Sequence, residues 1–321
     1  MSIVDCISEI ISSSENIFET NQANVITSIL QAEKVFFLDT CFVTKSFHIG
    51  TEELFQAFEK IAGGKEPQKI VFVITELVLY ELKDSAANVL QAKNKDFFEK
   101  MSEQGFCLLL LKEETVYEHI RPFMSYSIEK WNVFFSTLMH DNVAYLSFNS
   151  LVRTDSRMPY FGFSEIGYHA PSDSNFIKDI IVYLKNVKRS KDSMAEELIC
   201  ISLFFIFELT RGSMRNEYIF CTHDFGAVAR MKKAIQTSYP DMQKQLKTIN
   251  VFTIVQYMIN EEIVTSKEEA LNVLKKIMGE RVRLIIRDAL PFSSMEETIT
   301  IEEAVEKIFN HEQVELVGRE A

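Results

Sequence analysis

The stretch that decides the fold is KVFFLDTCFV, Lys34 to Val43. Val35, Phe36, Phe37 and Leu38 form an unbroken apolar run, as a strand covered on both faces requires, and the run stops at Asp39 and Thr40. Strands often end in a polar turn residue, so a lone aspartate here carries little weight. Its meaning depends on whether other acids fall at equivalent places. A second stretch repeats the arrangement: YIFCTHDFGAVARM runs apolar from Tyr218, ends in Thr222, His223 and Asp224, and then takes helical spacing. In parallel α/β sheets, ligands bind beyond the carboxyl ends of the strands, at the point where strand order reverses. If the first and fourth strands are neighbours there, Asp39 and Asp224 converge.

Further apolar runs are predicted as strands at Lys69 to Ile74, Phe106 to Leu111 and Ile249 to Ile254, beside Lys34 to Thr40 and Tyr218 to Thr222. Helical patterns lie between them, including TEELFQAFEKIAG, TELVLYELKDSAANVLQAKNKDFFEKM and DFGAVARMKKAI. The alternation predicts an α/β, doubly wound, three-layer α/β/α domain with a central parallel sheet over residues 34–259. Residues 1–33 read as a helical N-terminal extension, with Ile3, Ile7, Ile10 and Ile11 on one amphipathic face and Val25, Ile26, Ile29 and Leu30 on the next. Residues 260–321 read as a helical C-terminal region, with capping-box patterns at Ser266/Glu269 and Thr300/Glu303. A long insertion, at about 112–189, shows no clear strand and exceeds a plain crossover.

Composition narrows the classes. The chain has 321 residues, 47% of them hydrophobic, with 26 Phe but 10 Gly and 6 Pro, which is enough apolar material for a substantial core. The longest apolar runs, from Val71 and from Ile199, are too short to span a bilayer and contain acids. The first residues lack the basic segment of a secretory signal, so a cytoplasmic protein with no membrane partner is expected. Five cysteines show no CxxC pair, and six histidines show no paired-ligand spacing, which argues against a zinc site or a disulfide frame. A formal charge of -12 argues against nonspecific coating of nucleic acid, while leaving room for a local basic patch.

Two helices offer further acids. Glu81 sits in TELVLYELKD beside the apolar positions Leu77, Val78 and Leu82, and could equally be a solvated charge. In SKDSMAEELICISLFFIF, Ser190 reads as an N-cap, and Asp192 and Glu196 stand at i and i+4, so both can point in one direction. A first-turn acid is also explained by the helix dipole alone.

FLDTCFV, VITELVLYELK, SKDSMAEELI and IFCTHDFGAVAR together resemble, in order, the acidic motifs of the PIN-domain nucleases, over roughly Lys34 to Ile254. The resemblance implies that Asp39, Glu81, Asp192 and Asp224 match the metal-binding, catalytic carboxylates, and that Thr222 matches the hydroxyl supporting the fourth. Many members carry one more acid two residues after the fourth, where this chain has Gly226; Glu196 is then the candidate substitute ligand. The implied cofactor is Mg²⁺ or Mn²⁺, which suits the donor types, since these ions prefer carboxylate and water oxygens. Two such ions about 4 Å apart activate a water and stabilise the leaving oxygen of a phosphodiester displacement. Asp39 and Asp224 would bind metal directly, with Glu81 and Asp192 positioning metal-bound water. Thr40 and Thr222 would orient carboxylates or cap turns.

The expected substrate is nucleic acid, RNA in preference to DNA. Lys185, Lys188, Arg189 and Lys191 precede Asp192, and Arg230, Lys232 and Lys233 follow Asp224, placing phosphate-binding charge near the acids. The insertion adds Arg153 and Arg157 among Tyr160, Phe161, Phe163 and Tyr168, a mixture on which single-stranded bases stack, although a lid or a partner-binding loop fits as well. Trp131, Phe134 and Phe135 read as core. Three rival readings stand beside the nuclease. One is a noncatalytic PIN-like RNA- or protein-binding scaffold, which Gly226 favours. Another is a haloacid-dehalogenase-type phosphatase, which wants an acid where Cys41 stands. The third is a flavodoxin-like nucleotide binder, which wants glycines where Cys41, Phe42 and Val43 are bulky. The helical ends are open to a homodimer or a protein partner.

Overall fold

The run beginning at Lys34 is the middle strand of a parallel sheet in the computed structural model, which describes residues 3–14, 16–63, 69–122, 128–139, 175–187, 194–210, 216–238, 240–287 and 294–319. The chain order is α1 (Ile3–Ser12), α2 (Gln22–Gln31), β1 (Lys34–Leu38), α3 (Thr40–Ser46), α4 (Thr51–Ile61), β2 (Ile70–Thr75), α5 (Glu76–Glu81), α6 (Ala92–Glu103) and β3 (Cys107–Leu111). It continues through α7 (Glu113–Ile120), α8 (Ile128–Met139), α9 (Asn175–Val187), α10 (Met194–Leu209), β4 (Glu217–Cys221), α11 (Phe225–Ser238), β5 (Leu246–Ile249) and α12 (Val251–Asn260). The last elements are α13 (Lys267–Met278), β6 (Arg281–Arg287), β7 (Ser294–Thr300), α14 (Ile301–Phe309) and β8 (Gln313–Arg319). Two compact units result: Met1–Thr40 with Pro67–Phe220 and Gly226–Lys247, and Cys41–Glu66 with Cys221–Phe225 and Thr248–Ala321.

The first unit is built on the five-stranded sheet, ordered β3-β2-β1-β4-β5, all parallel and flanked by helices. The α/β class is therefore the one that the alternation predicts. Strand order reverses between β1 and β4, so these strands are neighbours at the switch point. Every residue of β2 is buried, which explains its uninterrupted apolar run. Phe36 lies opposite Phe72 in the ladder and stacks on it with ring centroids 4.8 Å apart, while Phe72 meets Phe106 edge-on at 5.2 Å.

The N-terminal segment seals an edge of this sheet. Glu19 N–H donates to Leu108 O at 2.9 Å, and Leu110 N–H donates to Glu19 O at 3.0 Å. The Gln22 amide donates to Leu110 O and accepts from Lys112 N–H, each at 2.9 Å, so β3 presents fewer open backbone groups. Helix α2 starts at Asn21, whose side chain accepts from Ala23 and Asn24 N–H, and buries Val25, Ile26 and Ile29. Its far end is closed by Asn216, whose amide nitrogen donates to the carbonyls of Ile29, Leu30 and Ala32 at 3.4, 3.2 and 2.7 Å. Helix α10 is buried from Met194 to Glu208, the profile of a central helix. Trp131 stacks on its Phe205 at 5.0 Å and Phe134 on its Phe204 at 4.6 Å, so the aromatic trio is core, as expected.

Three local expectations are corrected. The segment from Ile249 to Ile254 is not the fifth strand: β5 ends at Ile249, and Asn250 caps α12 by accepting from Thr253 N–H at 2.9 Å. A short apolar run fits either period, and the Asn cap decides for helix. The long pattern after β2 is two helices, because Asp84 accepts from Ala86 N–H in a turn and Asn94 donates to Leu82 O at 2.6 Å, closing α5 before α6 begins. The C-terminal region is not all helix.

That region lies in the second unit, where β7-β6-β8 form an antiparallel sheet. In β6, Val282 and Leu284 are buried while Arg281 and Arg283 are exposed, a period-two signal that a helical reading passes over. Ser266 caps α13 by accepting from Glu269 N–H at 3.3 Å, and Thr300 with Glu303 makes both halves of a capping box at α14, as the patterns predict. Among the described residues, no helix is long and apolar enough to cross a membrane.

Asn216→Ala removes the donor for three helix-end carbonyls. It is expected to lower stability by about 1–3 kcal/mol, measured as a shift of the urea unfolding midpoint.

Candidate functional site

Asp39 is carried into the interior by β1, and its side chain is 0% exposed. A buried carboxylate at that point needs compensation. The next residue, Thr40, donates its hydroxyl to Glu81 Oε2, tying the last residue of α5 to the tip of β1. The ladder explains the meeting, since β1 and β2 run parallel with Phe37 opposite Val73, and α5 follows β2 with no intervening loop.

The first turn of α10 adds Glu196 and Glu197, both buried, where the helix dipole favours negative charge. The buried Cys200 thiol responds to these groups. Burial pushes it well above its ordinary value, Glu197 pushes further, Arg230 opposes, and Glu196 and Asp39 add to the rise. Glu197, Arg230, Glu196 and Asp39 all act on this thiol electrostatically. Arg230 Nη2 stands 3.6 Å from Glu197 Oε1, so its guanidinium offsets a buried acid. Asp39, Glu81 and Glu196 each offer the carboxylate oxygens that Mg²⁺ or Mn²⁺ prefers, but the three do not form a group whose ligand atoms lie within 4.8 Å of one another.

Thr222 and Asp224 belong to the second unit. There Thr222 Oγ1 accepts from Asp224 N–H at 3.0 Å, so this hydroxyl caps a turn, whereas Thr40 holds a carboxylate. His223 N–H donates to Cys41 Sγ at 3.0 Å, and His223 Nε2 accepts from Val251 N–H at 3.0 Å, fixing the turn after β4 against the start of α12. Asp192, Arg153, Arg157, Lys188, Arg189 and Lys191 lie outside the described residues.

A second acidic group in the first unit was not expected. Glu76 opens α5 directly after β2, and Glu113 and Glu114 open α7 one residue after β3. Rule and place are those that single out Asp39, an acid at the carboxyl end of a buried strand. Among the described residues, these three carboxylates are the set whose ligand atoms all lie within 4.8 Å of one another. An ammonium already fills that space. Lys185 Nζ binds Glu76 Oε2, stands 3.0 Å from Glu113 Oε2 and donates to Glu114 Oε2 at 2.9 Å, with its side chain 2% exposed. Lys112 adds a more distant contact to Glu76 at 3.7 Å. Lys185 is thus unavailable to phosphate, contrary to its reading as part of a basic run, and the group is a buried ion-pair network.

The charges in it are unequally placed. Burial, reinforced by Glu113 and Glu114, holds Glu76 above its ordinary value despite Lys185. Burial also opposes ionisation of Glu114, but Lys185 and Lys112 bring it below the ordinary carboxylate range. Burial would lower Lys185, and Glu113, Glu76 and Glu114 overcome it, so the amine stays charged. By linkage, the raised Glu76 contributes stability that is full below its unfolded value and fades as pH rises through its folded one. The lowered Glu114 contributes stability above its unfolded value, lost as pH falls through its folded one.

Glu76→Gln is accordingly expected to leave the thermal midpoint unchanged or higher at pH 8, an advantage that disappears by pH 4. Glu114→Gln should lower the midpoint at pH 8, with the deficit shrinking in acid; thermal unfolding across a pH series measures both. Cys200 should resist iodoacetamide at pH 8 in the native protein and react once urea unfolds it, as mass spectrometry would read. No protein-family model matches the chain, and neither a curated protein nor a solved structure matches it.

Proposed function

We propose that the chain is a PIN-like, metal-dependent nuclease that hydrolyses phosphodiester bonds in nucleic acid, RNA foremost. The observation that carries this reading is the buried Asp39 at the carboxyl edge of a parallel sheet, beside its switch point, with Glu81 held by the adjacent Thr40. Asp39, Glu81 and Glu196 would hold Mg²⁺ or Mn²⁺. Bound there, such an ion acidifies a water and stabilises charge on the leaving oxygen.

The protein's own groups do the rest. The Thr40 hydroxyl anchors Oε2 of Glu81, fixing the direction in which that carboxylate presents itself to an attacking water. Burial of Asp39 keeps bulk water from competing for its oxygens. In the reaction, the water oxygen forms a bond to phosphorus as the bond to the leaving oxygen breaks. The water gives up a proton, and the leaving oxygen gains one. No serine, cysteine or histidine nucleophile is required. Cys41, which stands where a haloacid-dehalogenase-type phosphatase wants an acid, instead receives the His223 N–H.

A noncatalytic PIN-like scaffold is the second reading. It is favoured by Gly226 in place of a further acid, and by Arg230, which offsets Glu197.

Labelled single-stranded and structured RNA and DNA, incubated with Mn²⁺, Mg²⁺ or EDTA, separate the two. The nuclease reading expects metal-dependent cleavage that EDTA and Asp39→Asn abolish, and a loss of about 10–100-fold in Thr40→Val. Absence of cleavage together with absence of Mn²⁺ binding by wild type would leave the scaffold.

A further inference from the structure

Helix α5 spans Glu76–Glu81, a length that does not hold its shape unaided. Thr75 provides no side-chain cap; instead Glu113 Oε1, reaching from α7, accepts the N–H of Leu77 at 3.1 Å. Lys185, reaching from α9, grips Glu76, Glu113 and Glu114 together. At the other end, about 7.5 Å along the axis, Glu81 meets Thr40. Both ends of the helix are thus set by groups from other elements, and the buried ammonium is common to every tie at its start.

A buried lysine among two buried carboxylates and a part-buried third is a costly way to hold three helices together, since well-packed apolar side chains serve stability as well or better. What the charges add is a defined geometry: Lys185 donates to Glu76 Oε2 and Glu114 Oε2 and stands 3.0 Å from Glu113 Oε2, while Glu113 Oε1 takes the Leu77 N–H. We propose that Lys185 is a positioning residue for Glu81, acting through α5 to set that carboxylate beside Asp39. The inference rests on the nuclease reading for its functional meaning, but its structural content is tested independently.

Lys185→Met leaves two buried carboxylates and the part-buried Glu114 without their ammonium and risks global unfolding. The working variant is therefore Lys185→Met combined with Glu76→Gln and Glu113→Gln, which removes the excess charge and keeps an amide oxygen to cap Leu77. Hydrogen exchange of the full chain is measured together with Mn²⁺ titration. The expected result is exchange of the Leu77–Leu82 amides at least about tenfold faster, with β1 and β2 amides unchanged, and Mn²⁺ affinity lowered about tenfold. Unchanged exchange in α5, or an equal rise throughout the first unit, overturns the proposal. So does α5 loosening while Mn²⁺ affinity stays as in wild type. If wild type binds no Mn²⁺, the metal reading fails, and exchange alone decides: loosening confined to α5 upholds positioning by Lys185, and any other pattern refutes it.

Discussion

A parallel sheet covered on both faces leaves polar groups only its edges, and that constraint organises the first unit. Within β1, β2 and β3 the buried side chains are almost entirely apolar, and charge appears where each strand ends: Asp39 after β1, Glu76 after β2, Glu113 and Glu114 after β3. Because the strands are parallel, all of these acids emerge at the same edge. The edge that must be polar is also the edge where the fold can bind a ligand.

The same electrostatic problem is met in two ways along that edge. Around Glu76, Glu113 and Glu114, a lysine is buried with the acids, and the network is closed by hydrogen bonds from the protein itself. On the side of Asp39, Arg230 offsets Glu197. Carboxylates gathered in low dielectric raise one another's affinity for a proton or a cation. An arrangement closed by lysine is suited to holding helices. Helix α5 joins the two, with Glu76 at its first residue and Glu81 at its last.

Much of this was legible beforehand. Unbroken runs such as Val35–Leu38 and Val71–Ile74 identify strands because burial on both faces leaves no alternation to confuse, and Asp39, Glu81 and Glu196 stand out against them. Glu76, Glu113 and Glu114 were equally visible as acids after strands, yet nothing local pairs them with Lys185, a residue far along the chain that reads like its basic neighbours Lys188 and Arg189. The strands of the second unit were missed because the capping boxes around them spoke for helix, and the alternation of Arg281, Val282, Arg283 and Leu284 is short.

The sequence by itself determined the α/β class, the position of the first four strands and the residue types available for chemistry. These follow from local periodicity and from the cost of burying an unpaired charge, both of which act within a few residues. Tertiary structure alone decided that β1 and β4 are neighbours, that Thr40 holds Glu81, that Arg230 answers Glu197, and that Lys185 is buried among three carboxylates. Each of these depends on which distant segments the sheet brings side by side, and no local pattern carries that information.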